Sequence, residues 1–153
     1  MNLVEAKPVG IPAMSDAAIS QVRRIEAAAL ECPQTAFTTD HVIHGGVYMR
    51  TLHMVPRSFL TGALIKISTT LIVSGDVTIF MDGDGVRITG YHVLPASAGR
   101  KQAILAHDDT DLTMLFSTVA TNVADAEAQF TDETNMLAAK HDDNRNTVLV
   151  TGE

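Results

Sequence analysis

The sequence has few aromatic residues and almost no cysteine. Its 153 residues include one Cys, no Trp, two Tyr and five Phe, so any core must be built from Ala, Val, Ile, Leu and the seven Met. A single cysteine, Cys32, excludes an intrachain disulfide and any zinc or iron–sulfur site made of several cysteines. Because Cys32 precedes a proline at the end of a predicted helix, we interpret it as a small buried packing residue.

Positive charge and long apolar runs are also scarce. Eleven Lys and Arg stand against 18 Asp and Glu, which gives a net charge of −7. Such a balance argues against direct binding to a nucleic-acid backbone, because such binding needs an excess of cationic side chains to displace the counterions of the phosphates. No apolar run approaches the roughly 20 residues that span a bilayer, and the N-terminus lacks the pattern of a signal peptide. We therefore expect a single globular domain with no nucleic-acid or membrane partner.

The N-terminal part of the sequence predicts an arm followed by a helix. Residues 1–14 contain two Pro and one Gly without periodicity, and we interpret them as an extended arm. Ser15 is a typical helix N-cap, with Asp16 in the first turn. Apolar residues then recur at i, i+3 and i+4. This pattern predicts an amphipathic helix over 15–32, packed on the following domain and ended by Pro33.

Residues 38–118 predict a β-domain. Short segments rich in β-branched residues recur about every 8–12 residues, which favours a sandwich or barrel over alternating strands and helices. Glycine, proline and aspartate separate these segments as turn signals. The main turn signals are Gly45-Gly46, Ser74-Gly75-Asp76, Asp82-Gly83-Asp84-Gly85, Gly90 and Asp108-Asp109.

The C-terminal region, 119–153, predicts two short helices and a tail. Asn122 or its neighbour Thr121 is a suitable N-cap for a helix to Phe130, and Thr131 for a second one to about Lys140. The last residues are β-prone and have no partner strand in their neighbourhood. We expect this tail and the N-terminal arm to dock on the sheet edge of a neighbouring molecule.

The strand rhythm of the central region resembles that of the cupin family. The resemblance is carried by segments 71–80 and 86–95, by the acidic glycine turn at 82–85 and by Ala-Gly at 98–99. It covers about residues 40–118. It implies a mainly β fold, a cupin-like jelly roll or double-stranded β-helix, with the N-terminal helix and the short C-terminal helices added to it.

The same resemblance implies that the family's metal site is missing. In cupins, two His and one Glu precede a glycine that matches Gly75, and one further His follows in a second motif. The residues that match these positions are Gly62 and Leu64, or Thr61 and Ala63, for the first two His, Ser68 for the Glu, and Gln102 for the last His. None of these is a good ligand for a transition metal. We therefore expect a metal-free scaffold without a cofactor.

Two further motifs resemble uncharacterised cupin-like proteins of tailed bacteriophages. These are the ten residues from His41 to Arg50, HVIHGGVYMR, and the Leu-Thr-Gly segment at 60–62. This resemblance implies a protein that is made in the host bacterial cytoplasm and located in the virion. It does not supply an activity.

No catalytic residue is predicted. The six His are scattered, and His41 and His44, three residues apart in a predicted strand, point to opposite faces. The sequence contains neither a nucleophile elbow nor a phosphate-binding loop.

The one candidate ligand site is basic. Arg100 and Lys101 are adjacent cations, followed by Gln102, on a loop near the mouth of the predicted barrel, and Lys66 lies on a strand candidate nearby. We predict a pocket for a small anionic ligand, with Arg100 making bidentate contacts. The alternative is a surface loop whose cations pair with the acidic turn at 108–109 or with a neighbouring subunit.

These observations lead to three hypotheses for function. The first is a non-enzymatic structural or assembly protein of a bacteriophage, a metal-free module that forms a dimer or trimer and contacts other virion proteins. The second is a ligand-binding phage protein that sequesters a host nucleotide signal in the basic pocket. The third is a metal-dependent cupin enzyme such as an isomerase or dioxygenase.

Overall fold

The structure is a computed structural model that describes residues 10–137 and 144–153. No helix in these two ranges is long and apolar enough to cross a membrane. The elements are α1 (Asp16–Ala29), β1 (Thr38–His44), β2 (Val47–Met54), β3 (Phe59–Thr61), β4 (Thr69–Phe80), β5 (Gly85–Ala96), β6 (Ala103–Ala106), β7 (Thr110–Ser117), α2 (Val123–Phe130), a 3-10 turn (Thr134–Met136) and β8 (Arg145–Val150). The expected fold class, mainly β with an N-terminal helix and short C-terminal helices, is confirmed.

The eight strands form one curled sheet in the order β3-β6-β4-β7-β2-β1-β8, with β5 paired to β4. Strand β4 organises this sheet. It pairs along all of its 12 residues with β5, while its other edge pairs first with β7, over 70–74, and then with β6, over 77–80. Because one edge serves two strands, the sheet branches at the middle of β4.

The branch point requires glycine. Gly75 has a φ of +148°, and a Cβ there would lie 2.6 Å from the Asp109 carbonyl oxygen and against the Thr110 hydroxyl. Gly90 is its cross-strand partner and also has a positive φ, +86°. The turns predicted at Gly75 and Gly90 are therefore wrong. Both glycines lie inside strands: Gly75 allows close backbone approach, and Gly90 supplies a positive φ with open space beside it.

Other predicted turns are found. Gly45 and Gly46 connect β1 to β2 with φ values of +59° and +73°, as a tight hairpin turn needs. The acidic glycine run connects β4 to β5, where Met81 N–H donates to the Asp84 carbonyl oxygen at 2.8 Å. The expected separation of two histidines also holds, because His41 is buried and His44 is exposed.

The core has two main hydrophobic clusters. The upper cluster, packed mainly between β4, β5, β6 and β7, includes Leu52, Leu71, Val73, Val77, Ile79, Ile88, Ile104 and Leu112. The lower cluster joins the sheet to α2 and includes Ile43, Tyr48, Ala63, Met114, Phe116, Phe130 and Leu137. Aromatic rings meet only in the lower cluster among the described residues, where Tyr48, Phe116 and Phe130 pack together.

Helix α1 begins as predicted and ends earlier. Ala18 N–H donates to the Ser15 hydroxyl at 3.1 Å, which confirms the N-cap. Ala18 and Val22 bury the apolar face in a small third cluster. The helix ends at Ala29, three residues before the predicted end. Cys32 is exposed, so its predicted role as a buried packing residue is wrong. All residues of the segment 30–36, which follows the helix, are exposed.

The described part of the N-terminal arm docks on its own chain. Ile11 is buried, its N–H donates to the Pro95 carbonyl oxygen, and its carbonyl accepts from Ser97 N–H, both at 2.8 Å. These bonds pair Ile11 in parallel with Ala96 at the end of β5. Within residues 10–14, Ile11 and Met14 thus bond to their own chain, and docking of the arm on a neighbour stays a prediction; residues 1–9 lie outside the described residues.

The C-terminal region differs from the prediction after α2. Asn122 caps α2 as predicted, since its side chain accepts from Asp125 N–H at 2.9 Å. Thr131 ends α2 instead of starting a second α-helix, because its hydroxyl donates to the Leu64 carbonyl oxygen at 2.7 Å. Between α2 and Leu137, the last described residue before 144, a 3-10 turn follows, and the predicted helix end at Lys140, like His141, lies outside the described residues.

The tail has no partner strand in its own neighbourhood, as expected, but it has one far back in the chain. Strand β8 pairs in parallel with β1, from Thr38 opposite Arg145 to Ile43 opposite Val150. The partner lies so far back in the sequence that local patterning does not reveal it. Strand β8 thereby becomes one edge of the sheet.

The outer face of the sheet carries a row of charge across three strands. His53 on β2 lies between Asp40 on β1 and Asp111 on β7, with nitrogen–oxygen distances of 2.7 Å and 2.5 Å. Hydrogen bonding to Asp40, aided by Asp111, raises the pKa of His53 above its ordinary value despite its partial burial. The imidazole, which can donate to both carboxylates when it is protonated, links β1, β2 and β7.

This row predicts a pH-dependent stability. Because the pKa of His53 is raised on folding, its contribution is fully present below the unfolded value of about 6.5 and is lost as pH rises through the folded value. We expect His53→Gln to lower the melting temperature at acidic pH and to have a smaller effect at alkaline pH. Thermal melts at several pH values measure this, with His92→Gln, which lacks an ion pair among the described residues, as the control. An equal effect of His53→Gln at every pH would contradict it.

Candidate functional site

A cavity of about 130 Å³, here called the inner cavity, lies where the two main clusters meet. Most of its wall is apolar, supplied by Leu52, Leu60, Ala63, Ile65, Leu71, Ile104, Leu112, Met114, Phe130, Met136 and Leu137. Four polar side chains interrupt this wall: Arg50, Thr61, Arg100 and Gln102. A core that contains two guanidinium groups needs a physical explanation, since charges are rarely buried without a partner.

Arg100 and Gln102 reach the cavity through an extended segment between β5 and β6. Backbone bonds hold this segment, because Ile65 N–H donates to the Arg100 carbonyl oxygen and Gly62 N–H to that of Gln102, both at 2.8 Å. Successive side chains of an extended chain point to opposite sides. Arg100 and Gln102 thus face the inner cavity, while Lys101 between them faces α1.

The Arg100 side chain is a buried cation whose hydrogen-bond partners among the described residues are all neutral. It is 3% exposed, and it donates to the Ser97 carbonyl oxygen and the Thr69 hydroxyl, both at 2.7 Å, and to Met114 Sδ at 3.8 Å. Among the described residues, no carboxylate lies within ion-pair distance of it. Burial lowers the pKa of Arg100 to about 10, so the guanidinium still carries its charge at neutral pH.

Gln102 adds an unused donor to the same cavity. Its side chain is buried, and its Nε2 has no hydrogen-bond partner among the residues that the structure describes. A buried donor without a partner costs about 1–3 kcal/mol. The inner cavity therefore combines an uncompensated cation with an unsatisfied amide.

Arg50 is the second cation of the cavity, and it is neutralised. Its Nη1 donates to Glu127 Oε2 at 3.1 Å and lies 3.4 Å from the Tyr48 hydroxyl oxygen, while its guanidinium carbon is 5.7 Å from the centroid of the Phe130 ring. Both charged side chains are buried, so the pair fixes α2 on β2. Burial raises the pKa of Tyr48, which keeps its hydroxyl protonated.

Arg50 was not predicted as a site residue, although the pattern of β2 indicates it. Strand β2 alternates strictly, and its even-numbered residues face the core. Tyr48, Leu52 and Met54 are the apolar members of this inward row, in which Arg50 is the exception. A cation in such a row indicates either an internal ion pair or a ligand site.

Lys101 and Lys66, the other residues of the predicted basic pocket, lie outside the inner cavity. Lys101 Nζ is fully buried and contacts Glu26 Oε2 at 2.9 Å, the Gly62 carbonyl oxygen at 2.8 Å and Glu133 Oε2 at 3.4 Å. Lys66 is exposed, and its Nζ pairs with Asp132 at 2.6 Å. The structure thus brings together Arg100 and Gln102 of the four predicted residues.

The inner cavity is suited to binding. Among its described lining residues there is no His, Cys, Asp or Glu, so the wall offers no group that exchanges protons readily near neutral pH. In the described parts of the chain, no group of three or more such residues is placed to hold a metal ion. Three positions matched to cupin ligands, Thr61 to Ala63, line the cavity together with Gln102, whereas Ser68 is exposed and outside it.

A larger cleft of about 390 Å³ lies between the C-terminal end of α1 and β3. Its described wall contains one acid, Glu26, and one cation, Arg57. Glu26 is already bonded to Lys101. The cleft has no described polar group comparable to Arg100, so the inner cavity is the better candidate site.

Comparisons with known proteins give a likeness of fold. The sequence matches no protein-family model and no curated protein. Similar solved structures include a cupin superfamily protein from Desulfitobacterium hafniense, with 13% identity, 74% of this chain and 99% of that chain covered, and a TM-score of 0.45. A cupin-2 domain protein from Shewanella frigidimarina has 6% identity, covers 60% of this chain and 91% of its own, and scores 0.44.

A cupin 2 conserved barrel domain protein from Leptotrichia buccalis is similar as well, with 14% identity, 65% of this chain and 50% of that chain covered, and a TM-score of 0.47. All three are cupin proteins, the family that the strand rhythm of the sequence resembles. At identities and scores this low, the likeness concerns the arrangement of strands and says nothing about ligand or activity.

The contrast between the two lysines predicts different costs of removal. Lys101→Met leaves Glu26 and Glu133 without their buried cation, so we expect the free energy of unfolding to fall by about 3 kcal/mol. Lys66→Met removes an exposed pair and is expected to cost less than about 1 kcal/mol. Urea denaturation measures both values. Equal costs for the two variants would show that Lys101 is not the structural cation described above.

Proposed function

We propose that the protein binds a small organic anion in the inner cavity. The observation that carries this proposal is Arg100, a buried guanidinium with no described counter-charge. Removing a charge from water costs several kcal/mol unless an opposite charge compensates for it. A bound anion supplies that charge, and an arginine fork is the side chain best suited to hold a carboxylate or phosphate.

The surrounding residues support binding over chemistry. Gln102 offers a second buried donor in the same cavity, and the largely apolar wall lowers the local polarity, which strengthens both contacts. The described lining lacks an acid–base group or nucleophile. The protein is therefore proposed to hold its ligand without transforming it.

Binding is predicted to depend on Arg100 and to be blocked by an internal acid. We expect anions to raise the melting temperature of the native protein but not that of Arg100→Met. Gln102→Glu places a carboxylate in the same cavity, so we expect it to stabilise the unliganded protein and to abolish the shift. Thermal melts and calorimetric titrations with acetate, butyrate, inorganic phosphate and cyclic nucleotides measure these effects.

Lys66→Gln is the matched control, because it removes a cation of the predicted basic pocket that lies outside the inner cavity. Its melting-temperature shift should equal that of the native protein. Absence of any shift or heat with every anion would refute the proposal.

A second candidate function is self-association, and the observation that favours it is strand β8. All six residues of this edge strand are exposed, including Val148 at 54%, Leu149 at 57% and Val150 at 42%. An uncovered edge with apolar side chains is a template for pairing with another chain. We propose that a dimer or trimer forms through this edge, as the basis of the virion role implied by the bacteriophage resemblance.

This interface predicts a charge-sensitive oligomer. Leu149→Lys places a cation on the edge strand and is expected to shift a dimer or trimer to monomer. Val119→Lys is the control, since Val119 is 100% exposed and lies outside any strand. Size-exclusion chromatography with light scattering measures the mass of each variant. A native protein that is monomeric at every concentration would exclude this candidate.

A further inference from the structure

We infer that the ligand of the inner cavity is a monoanion with a short apolar tail, that is, a small monocarboxylic acid. This inference rests on the proposed function and specifies its ligand. It is based on three properties of the cavity: its net charge, its free donors, and the size and chemistry of its wall.

The charge of the cavity matches one negative charge. Arg50 and Arg100 are the charged residues of the described lining. The charge of Arg50 is cancelled by Glu127 at 3.1 Å, which leaves the single charge of Arg100. A monocarboxylate neutralises it, whereas a phosphate monoester with two charges would leave a net negative charge beside a largely apolar wall, at a cost in desolvation.

The free donors match the two oxygens of a carboxylate. Arginine has five N–H groups, and the described contacts of Arg100 to Ser97, Thr69 and Met114 use three of them. Two donors remain, together with Nε2 of Gln102. A carboxylate can accept all of these, since its two oxygens offer about four lone-pair sites.

The rest of the wall selects the tail. Apart from Thr61 and Gly62, the described residues that complete the lining have apolar side chains, with Leu52, Leu71 and Leu112 from the upper cluster and Phe130 from the lower one. The volume is about 130 Å³. An apolar cavity of about 150 Å³ takes up benzene. The tail that this part of the wall can bury is therefore about the size of a benzene ring or a chain of a few carbons.

Calorimetric titration of the full native chain tests this inference. The probes are acetate, propionate, butyrate, hexanoate and benzoate, with butyramide as the neutral isostere of butyrate and inorganic phosphate as the multivalent anion. We expect affinity to rise about fourfold per methylene from acetate to butyrate, as burial of each CH₂ predicts, and to stop rising once the cavity is full. Butyramide and phosphate should bind at least about tenfold more weakly than butyrate. Butyramide lacks the negative charge that Arg100 needs, whereas the phosphate dianion carries one charge more than Arg100 neutralises and has no apolar tail.

Variants separate the contributions of head and tail. Arg100→Met should abolish carboxylate binding, and Lys66→Gln should leave it unchanged. If Arg100→Met does not fold, Ala63→Leu gives an independent reading, because it narrows the apolar wall and should move the preferred chain length to a shorter acid. An unchanged preference in Ala63→Leu, or affinity that does not depend on tail length, would overturn the inference.

The outcomes for the inference and for the proposed function are distinct. If phosphate or a cyclic nucleotide binds more tightly than butyrate and the binding requires Arg100, the anion-binding function stands and the monocarboxylate is wrong. If no anion binds to the native protein, both are wrong.

Discussion

The divided pairing of β4 is the constraint on which the rest of the structure depends. One edge of this strand serves β7 and then β6, and the change of partner occurs where Gly75 meets the start of β7. This branching lets one sheet curl around an interior with two core clusters. The inner cavity lies between those clusters, so a backbone feature without a side chain determines where the polar residues of the site can meet.

The local elements could be predicted from the sequence, and the long-range ones could not. Ser15 and Asn122 were identified as caps because capping depends on residues within one turn. Gly75 and Gly90 resemble turn residues in the sequence, because a glycine needed inside a strand, for close approach at Gly75 or for a positive φ at Gly90, looks the same as one needed for a turn. The partner of β8 lies far away in the chain, and local periodicity carries no information about it.

The candidate site was predicted in part for similar reasons. The adjacent cations at 100–101 predicted a site that includes Arg100 and Gln102. Because side chains alternate along this extended segment, Lys101 points away from the cavity. Glu26 on α1 and Glu133 after α2 neutralise it. Arg50 was identifiable as the exception in an apolar inward row. Its pairing with Glu127 depends on how α2 packs on the sheet, which follows from tertiary structure alone.

The pairing of β8 with β1 also has a kinetic consequence. The contact of Asn144 with Phe37 spans 107 residues, so closing this end of the sheet requires a long loop to form for little buried area. Such a segment belongs to the least stable cooperative units of a domain. Strand β8 should join the sheet late during folding, and its amide hydrogens should exchange with solvent well before those of β4, which is covered by other strands on both edges.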